Sequence, residues 1–251
     1  MDAIFAAGDN NPDWQKIASL LALRSRLTVI TGGPGTGKTT TVFKILLLRL
    51  LLGGACRVEL AAPTGMAAVR AISSLNRAYG ELKKRWGDDT ARLKELAGEL
   101  GLSEDEMRQR LDCLPQKAST LHALLGVSPH QVKPRYHSGN RLDCELLVVD
   151  EVSMVDLPLF AKLCAALPDH AQLILLGDKD QLMSVDSGTV LADLCASPPY
   201  GRYEEIRDFI CCACGYPPEI FSRPGQGLSD YVARLKNTYR FDPQSGVGRL
   251  A

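Results

Sequence analysis

The densest chemistry in the chain lies in the stretch "TGGPGTGKTTT", residues 31–41. Gly32, Gly37, Lys38 and Thr39 set the spacing G-x-x-x-x-G-K-T. In such a loop Gly32, Gly33, Pro34, Gly35, Thr36 and Gly37 let the backbone wrap closely around a chain of phosphates, with N–H groups turned inward. Lys38 adds a cation for the outer phosphates, and the Thr39 hydroxyl is an oxygen ligand for Mg²⁺. A helix opening at Lys38, Thr39 and Thr40 would aim its positive end at the same anion. A second group stands in "ELLVVDEVSMVD", where Asp150 ends an apolar run and Glu151 follows. In P-loop NTPases an Asp at a strand tip holds Mg²⁺, and a neighbouring acid can orient and deprotonate an attacking water. The pair favours hydrolysis over transfer to a small acceptor. Taken alone, Glu151 is a solvated acid at the start of a loop. A third group is "LILLGDKDQL", with Gln181 three residues beyond Asp178. A glutamine amide beside a terminal phosphate can sense its loss, although by itself Gln181 reads as a solvated loop residue.

These groups need strands to carry them. Four short apolar runs qualify: 26–31, 57–62, 145–150 and 172–177. All are rich in Val, Ile and Leu, as strands buried on both faces of a parallel sheet should be. Helical patterns lie between them, and "KTTTVFKILLLRLLL" stops at Gly53-Gly54. The alternation predicts an α/β fold, a mostly parallel doubly wound sheet flanked by helices. Ligands bind such sheets at the carboxyl ends of the strands.

Three stretches interrupt the rhythm. Residues 76–115 are charged and helix-prone, with Leu93, Leu96 and Leu100 at helical spacing, and read as a solvated helical insertion. Ser103 and Glu106 make a capping box for a short helix that Pro115 follows. Residues 127–142 read as a β-hairpin around Ser138-Gly139-Asn140, or as a decorated surface loop. Residues 196–227 are rich in Pro and Gly and read as an irregular insertion.

The totals set bounds. The 251 residues fit one large or two small domains, and 45% hydrophobic with 23% charged is a globular balance. Lys+Arg and Asp+Glu both number 29, so charge neither advertises nor excludes a nucleic-acid partner. The longest apolar stretch, "ILLLRLLL", is broken by Arg49, and the first residues lack a signal peptide. A cytoplasmic location without membrane contact is expected. The eight cysteines are not a disulfide scaffold, and Cys56, Cys144 and Cys164 read as buried thiols. Cys211 and Cys214 have C-x-x-C spacing but no second pair, so no zinc is expected.

In order, "NPDWQKIASLLAL", "TGGPGTGKTTT", "LAAPTGMAA", "STLHALLG", "LLVVDEVSMVD", "LLGDKDQL" and "NTYRF" resemble the motifs of superfamily 1 DNA helicases, and within them the RecD family, the alpha subunits of bacterial RecBCD (exodeoxyribonuclease V) complexes. The resemblance runs from about residue 12 to 251. It implies a RecA-like P-loop domain that uses ATP and Mg²⁺ on single-stranded DNA or duplex ends, beside RecB- and RecC-like subunits. Residue by residue, it makes Gln15 the reader of adenine and gives Lys38, Thr39, Asp150 and Glu151 the roles above. Gln181 links the γ-phosphate to the DNA surface. Pro63, Thr64 and Gly65 touch the DNA backbone, as do Thr120 and His122. Tyr239 packs near adenine and Arg240 reaches the γ-phosphate. The hairpin at 127–142, with Lys133, Arg135, Tyr136 and Arg141, corresponds to a duplex-splitting pin.

Plainer readings stand beside these. Thr64 suits a helix cap, Trp14 a packing residue, and His122 a core or capping histidine. Met66 replaces a lysine common in the family, which implies one phosphate contact fewer. The resemblance also implies that residues 1–251 are a first motor domain without its second, with weak nucleotide binding and negligible turnover in isolation. The competing functions are a nucleotide kinase and a non-catalytic, nucleotide-dependent docking module.

Overall fold

In a computed structural model of the chain, residues 4–5, 12–54, 56–86, 95, 97–128, 133–181, 190–196, 204–221 and 231–237 are described. Helix α1 (Trp14–Arg24) leads into β1 (Leu27–Thr31), and α2 (Lys38–Gly53) follows the glycine loop. Strand β2 (Val58–Ala62) precedes α3 (Gly65–Trp86) and α4 (Glu104–Asp112). Next come β3 (Ser119–Thr120), α5 (Leu121–Leu125), β4 (Leu146–Val149) and α6 (Leu157–Ala166). The chain continues through β5 (Gln172–Gly177), α7 (Val190–Leu194), α8 (Glu204–Cys214) and β6 (Val232–Arg234).

The strands form one six-stranded sheet in the order β3-β2-β4-β5-β1-β6. Every pair in it is parallel. Successive side chains of a strand point to opposite faces, and the core divides accordingly. Leu146 and Val148 of β4 join Ile174, Leu176 and Ile30 on the face covered by α1, α2 and α3. Leu147 and Val149 join Leu173, Leu175 and Val29 on the face covered by α5 and α6. Helix α2 lies between the sheet and other helices, which is why Val42, Phe43, Ile45 to Leu48, Leu50 and Leu51 are all buried. A helix apolar all round must be buried all round. The end of α1 is held to the sheet by Gln172, whose Nε2 donates to the carbonyls of Ala22 and Ser25.

The four apolar runs are all strands, and the capping box of Ser103 and Glu106 is formed at the start of α4. The interruptions differ from expectation in part. The described parts of 76–115 are largely helical and solvated on one face only: α3 continues unbroken to Trp86, and Leu82, Met107, Leu111 and Leu114 enter the main core. Arg110 Nη1 donates to the carbonyl of Leu51 at 2.6 Å, satisfying a group at the end of α2. Leu93 and Leu96 lie outside the described residues. The turn at Ser138-Gly139 is present, with His137 and Asn140 exchanging two backbone hydrogen bonds of 2.9 Å. That single antiparallel bridge is all of the hairpin among the described residues, and 129–132 lie outside them. Its cations are partly engaged: Arg141 binds Asp169 and the Leu167 carbonyl, and Arg135 stacks 5.3 Å over Tyr136. Residues 196–227 contain α8, a regular helix tied to α1 by Arg24 over the Phe209 ring at 5.2 Å. Cys144 is buried, but Cys164 is exposed on α6. Burial, with Glu59 and Asp143 adding to it, pushes the Cys144 thiol up to about 11. Among the described residues no helix is long and apolar enough to cross a membrane.

Candidate functional site

The glycine loop closes over β1 in a form that only its sequence permits. Gly35 and Gly37 have φ of 80° and 81°, the left-handed region that glycine enters without penalty. Gly32 is confined instead by space: a Cβ there would sit 2.7 Å from Thr36 Oγ1 and 3.0 Å from the Leu235 carbonyl. The buried Thr36 folds the loop on itself, its hydroxyl donating to the Gly33 carbonyl at 2.9 Å. Lys38 Nζ reaches back over the loop to the carbonyls of Gly32 and Gly33, at 2.6 and 3.2 Å. Helix α2 starts at Lys38 with no side chain capping it. The first N–H groups of a helix have no partner within it and attract anions. Glycine loop, helix end and Lys38 therefore make a site for phosphate.

The acids are set by strand order. β5 lies between β1 and β4, which places Asp150 two strand spacings from β1, roughly 9–10 Å. That gap admits a phosphate, a metal ion or a water. Burial pushes the Asp150 carboxyl up to about 6; the Glu151 charge adds to this, while the Glu151 amide and Lys38 oppose it. Asp150 Oδ1 accepts from the Glu151 amide at 2.9 Å. Its other oxygen lacks a hydrogen-bond partner among the described residues, and its environment favours a cation. Thr39 and Asp150 thus fit a Mg²⁺ ion, an ion usually held by one or two protein oxygens together with substrate phosphates. Among the described residues no group of three or more His, Cys, Asp or Glu could hold a metal unaided. Glu151 has φ 55°, the one positive value among the described non-glycine residues. Such a backbone costs of order 1–3 kcal/mol and marks functional positions more often than neutral ones.

Between loop and acids runs an open cleft of about 510 Å³. Pro34 to Thr40 form one wall, and Glu151, Asp178 and Gln181 lie across it. Gln181 Oε1 accepts from Ser153 Oγ at 3.5 Å. A third wall comes from α3, through Ser74, Arg77, Ala78 and Glu81. Neither these residues nor Asp178 stand out in the sequence as site residues. The signal is there in the 0, 3, 4, 7 spacing of one helix stripe, but such a stripe usually faces water. A second cleft, of about 540 Å³, lies behind the loop between Gly32, Gly33 and Pro34 and the end of β6, lined by Arg234 and Lys236. The Lys236 ammonium lies 3.8 Å from the centre of the Trp14 ring. Trp14 is buried, as a packing residue would be.

The remaining candidates fall in three places. Gln15 is buried and lines neither cleft. Its Nε2 donates to the Thr36 carbonyl at 3.4 Å and its Oε1 accepts from Lys44 Nζ at 2.9 Å, so it braces the phosphate loop. Pro63, Thr64 and Gly65 follow the end of β2 and Thr120 and His122 stand at the end of β3, neighbouring parallel strands in which Ala62 and Thr120 are register partners. Thr64 and Thr120 cap α3 and α5, accepting from the amides of Ala67 at 3.2 Å and Ala123 at 3.1 Å. His122 is exposed rather than a core residue, and Met66, in the first turn of α3, is 66% exposed. Tyr239 and Arg240 lie outside the described residues.

Known proteins resemble this chain over most of its length. Residues 15–187 match a family model described as an AAA domain. The chain is 39% identical over 254 residues, all of its own length, to the RecBCD enzyme subunit RecD of Haemophilus influenzae, covering 36% of that protein. It is 44% identical over 187 residues to the RecBCD enzyme subunit RecD of Mycobacterium tuberculosis, covering 72% of this chain and 28% of the relative. With the ATP-dependent RecD2 DNA helicase of Deinococcus radiodurans it shares 34% identity over 214 residues, 80% of this chain and 24% of the relative. The chain spans about a third of the length of the curated relatives it matches.

Proposed function

Because the chain belongs to the AAA-domain family, whose match covers residues 15–187, we propose that it is the first RecA-like motor domain of an ATP-dependent DNA helicase of the RecD type. Its work is ATP hydrolysis coupled to movement on single-stranded DNA, in double-strand-break repair and recombination. The observation that carries this reading is the cleft in which the phosphate loop faces Glu151 and Gln181.

In this mechanism the loop amides and the α2 N-terminus bind the phosphates. Lys38 leaves the carbonyls of Gly32 and Gly33 for the outer phosphates. Thr39 and Asp150 would hold a Mg²⁺ ion, which would supply positive charge against the phosphate chain. Glu151 takes a proton from the attacking water, and Gln181, through Ser153, ties the cleft to the strand edge carrying Asp150. Gln15 supports the loop, Tyr239 and Arg240 belong to the nucleotide site, and the edge with Pro63, Thr64, Gly65, Thr120 and His122 receives the DNA backbone. The residues around 127–142 serve as a duplex-splitting element. A second RecA-like domain closes the cleft, RecB- and RecC-like subunits are the partners, and the setting is the cytoplasm. Most rate enhancement in phosphoryl transfer comes from positioned charge, so this domain by itself binds nucleotide weakly and turns it over negligibly.

The test is ATPase activity of the full-length protein with and without single-stranded DNA. Stimulation by DNA is expected, with Glu151→Gln lowering turnover by about 10²–10⁴ while nucleotide still binds. DNA-independent phosphorylation of a small acceptor would instead establish a kinase. Unwinding unaffected by Lys38→Ala would establish a docking module.

A further inference from the structure

Helix α3 turns one stripe of its surface to the phosphate cleft. Ser74, Arg77 and Glu81 line it together with Glu151 and Gln181. The rotation of the helix is fixed by what it buries: Leu75, Ala78 and Leu82 enter the core, and the Tyr79 ring meets Phe43 at 6.0 Å. Arg77 is exposed and makes no hydrogen bond or ion pair among the described residues, and the same holds for Glu81 one turn later. Their failure to pair has a physical reason, because a cation placed N-terminal to an anion is the weaker orientation of an i,i+4 pair. The other nearby cations are engaged. Lys38 is on loop carbonyls, Lys179 is paired with Asp180, and Arg234 lies 3.8 Å from the same Asp180.

We propose that Arg77 is a second phosphate-binding cation of this site, a guanidinium supplied by α3 within the same domain, and that Glu81 tempers it. The inference rests on the cleft being the nucleotide site. A planar guanidinium fork can take two phosphate oxygens at once, which an ammonium cannot. The ligand is the outer part of a nucleoside triphosphate, since Arg77 shares its cleft with Glu151 and Gln181, the residues at the hydrolytic end. Glu81 places a negative charge in the same cleft and opposes the ligand, so its removal acts in the opposite sense.

The experiment titrates full-length protein with a non-hydrolysable ATP analogue and with ADP, and records melting temperature in parallel. Arg77→Gln is expected to weaken the analogue by about ten- to a hundredfold, as loss of a charged hydrogen bond does, and ADP much less. Arg77→Lys should recover part of the loss, Glu81→Gln should tighten the analogue, and the melting temperature of Arg77→Gln should match wild type. Wild-type affinity for the analogue in Arg77→Gln would overturn the proposal, as would equal loss of both nucleotides with a lowered melting temperature. Lys38→Ala separates the two levels. If it loses the analogue while Arg77→Gln does not, the role of Arg77 alone fails. If neither change matters, the nucleotide reading of the cleft fails with it.

Discussion

Replacing Asp150 with Asn should make the chain more stable while disabling its site. The carboxyl is pushed from 3.8 to about 6, mainly by burial. At about 1.4 kcal/mol for each tenfold change in proton affinity, the ionised form costs the folded chain about 3 kcal/mol at neutral pH. Below pH 4 or so, folded and unfolded chains both hold the proton and there is no cost. Between about pH 4 and 6 the unfolded chain releases it while the folded chain keeps it, so stability falls as pH rises; above that the loss is constant. Asn is the same size, keeps an oxygen for the Glu151 amide, and carries no charge. Urea unfolding of the 251-residue chain at intervals from pH 4 to 8 would measure the difference. Wild type and Asp150→Asn should be nearly equal in stability at pH 4, and Asp150→Asn should be ahead by about 2–3 kcal/mol at pH 7. Mg-ATP should narrow the gap by stabilising wild type, by about 2.7 kcal/mol at a hundredfold excess over Kd. A gap independent of pH, or a less stable Asp150→Asn at pH 7, would refute the reasoning.

Three further outcomes are expected. Gly32→Ala should cost about 1–3 kcal/mol of stability by overpacking, because its Cβ meets Thr36 and the Leu235 carbonyl, whereas Gly33→Ala, with nothing within 4 Å, should leave the melting temperature unchanged. Gln15→Ala removes a brace on the Thr36 carbonyl, so it should weaken ATP and GTP binding alike; selective loss of ATP in an equilibrium titration would show instead that the glutamine reads the base. Ser103→Ala removes a complete capping box at α4 and should cost about 1 kcal/mol in thermal unfolding, without changing nucleotide affinity.

The strands that carry the site are legible in the sequence because burial on both faces leaves an unbroken apolar run. β3 and β6 are not: two and three residues long, they carry too little pattern to separate from loop. The phosphate loop is legible because its conformation demands glycine at particular positions. The α3 wall is not, because Ser74, Arg77 and Glu81 have the composition of a solvated face, and only the burial of Leu75 and Leu82 fixes the helix so that this exposed face lines the cleft. Residues 76–115 mislead for the same reason, since sparse apolar residues such as Met107 and Leu111 can still seal a neighbouring helix. Resemblance points to Gln15, but its contacts to Thr36 and Lys44 are tertiary and leave no mark on local spacing.

The pairing of β6 with β1 has a consequence for how the protein is made. Val29, Ile30 and Thr31 receive their partners, Val232, Ala233 and Arg234, from a part of the chain synthesised about 200 residues later. The Leu235 amide then donates to Thr31 at 2.8 Å, and the Leu235 carbonyl packs on Gly32. A ribosome moving at about 5–20 residues per second needs on the order of 10–40 s to supply that strand. Until then one edge of β1 is open, and an open apolar edge is a template for mispairing with other chains. The nucleotide loop is thus translated about 200 residues before the strand that completes its setting, and a nascent chain halted before residue 232 should be a substrate for chaperones.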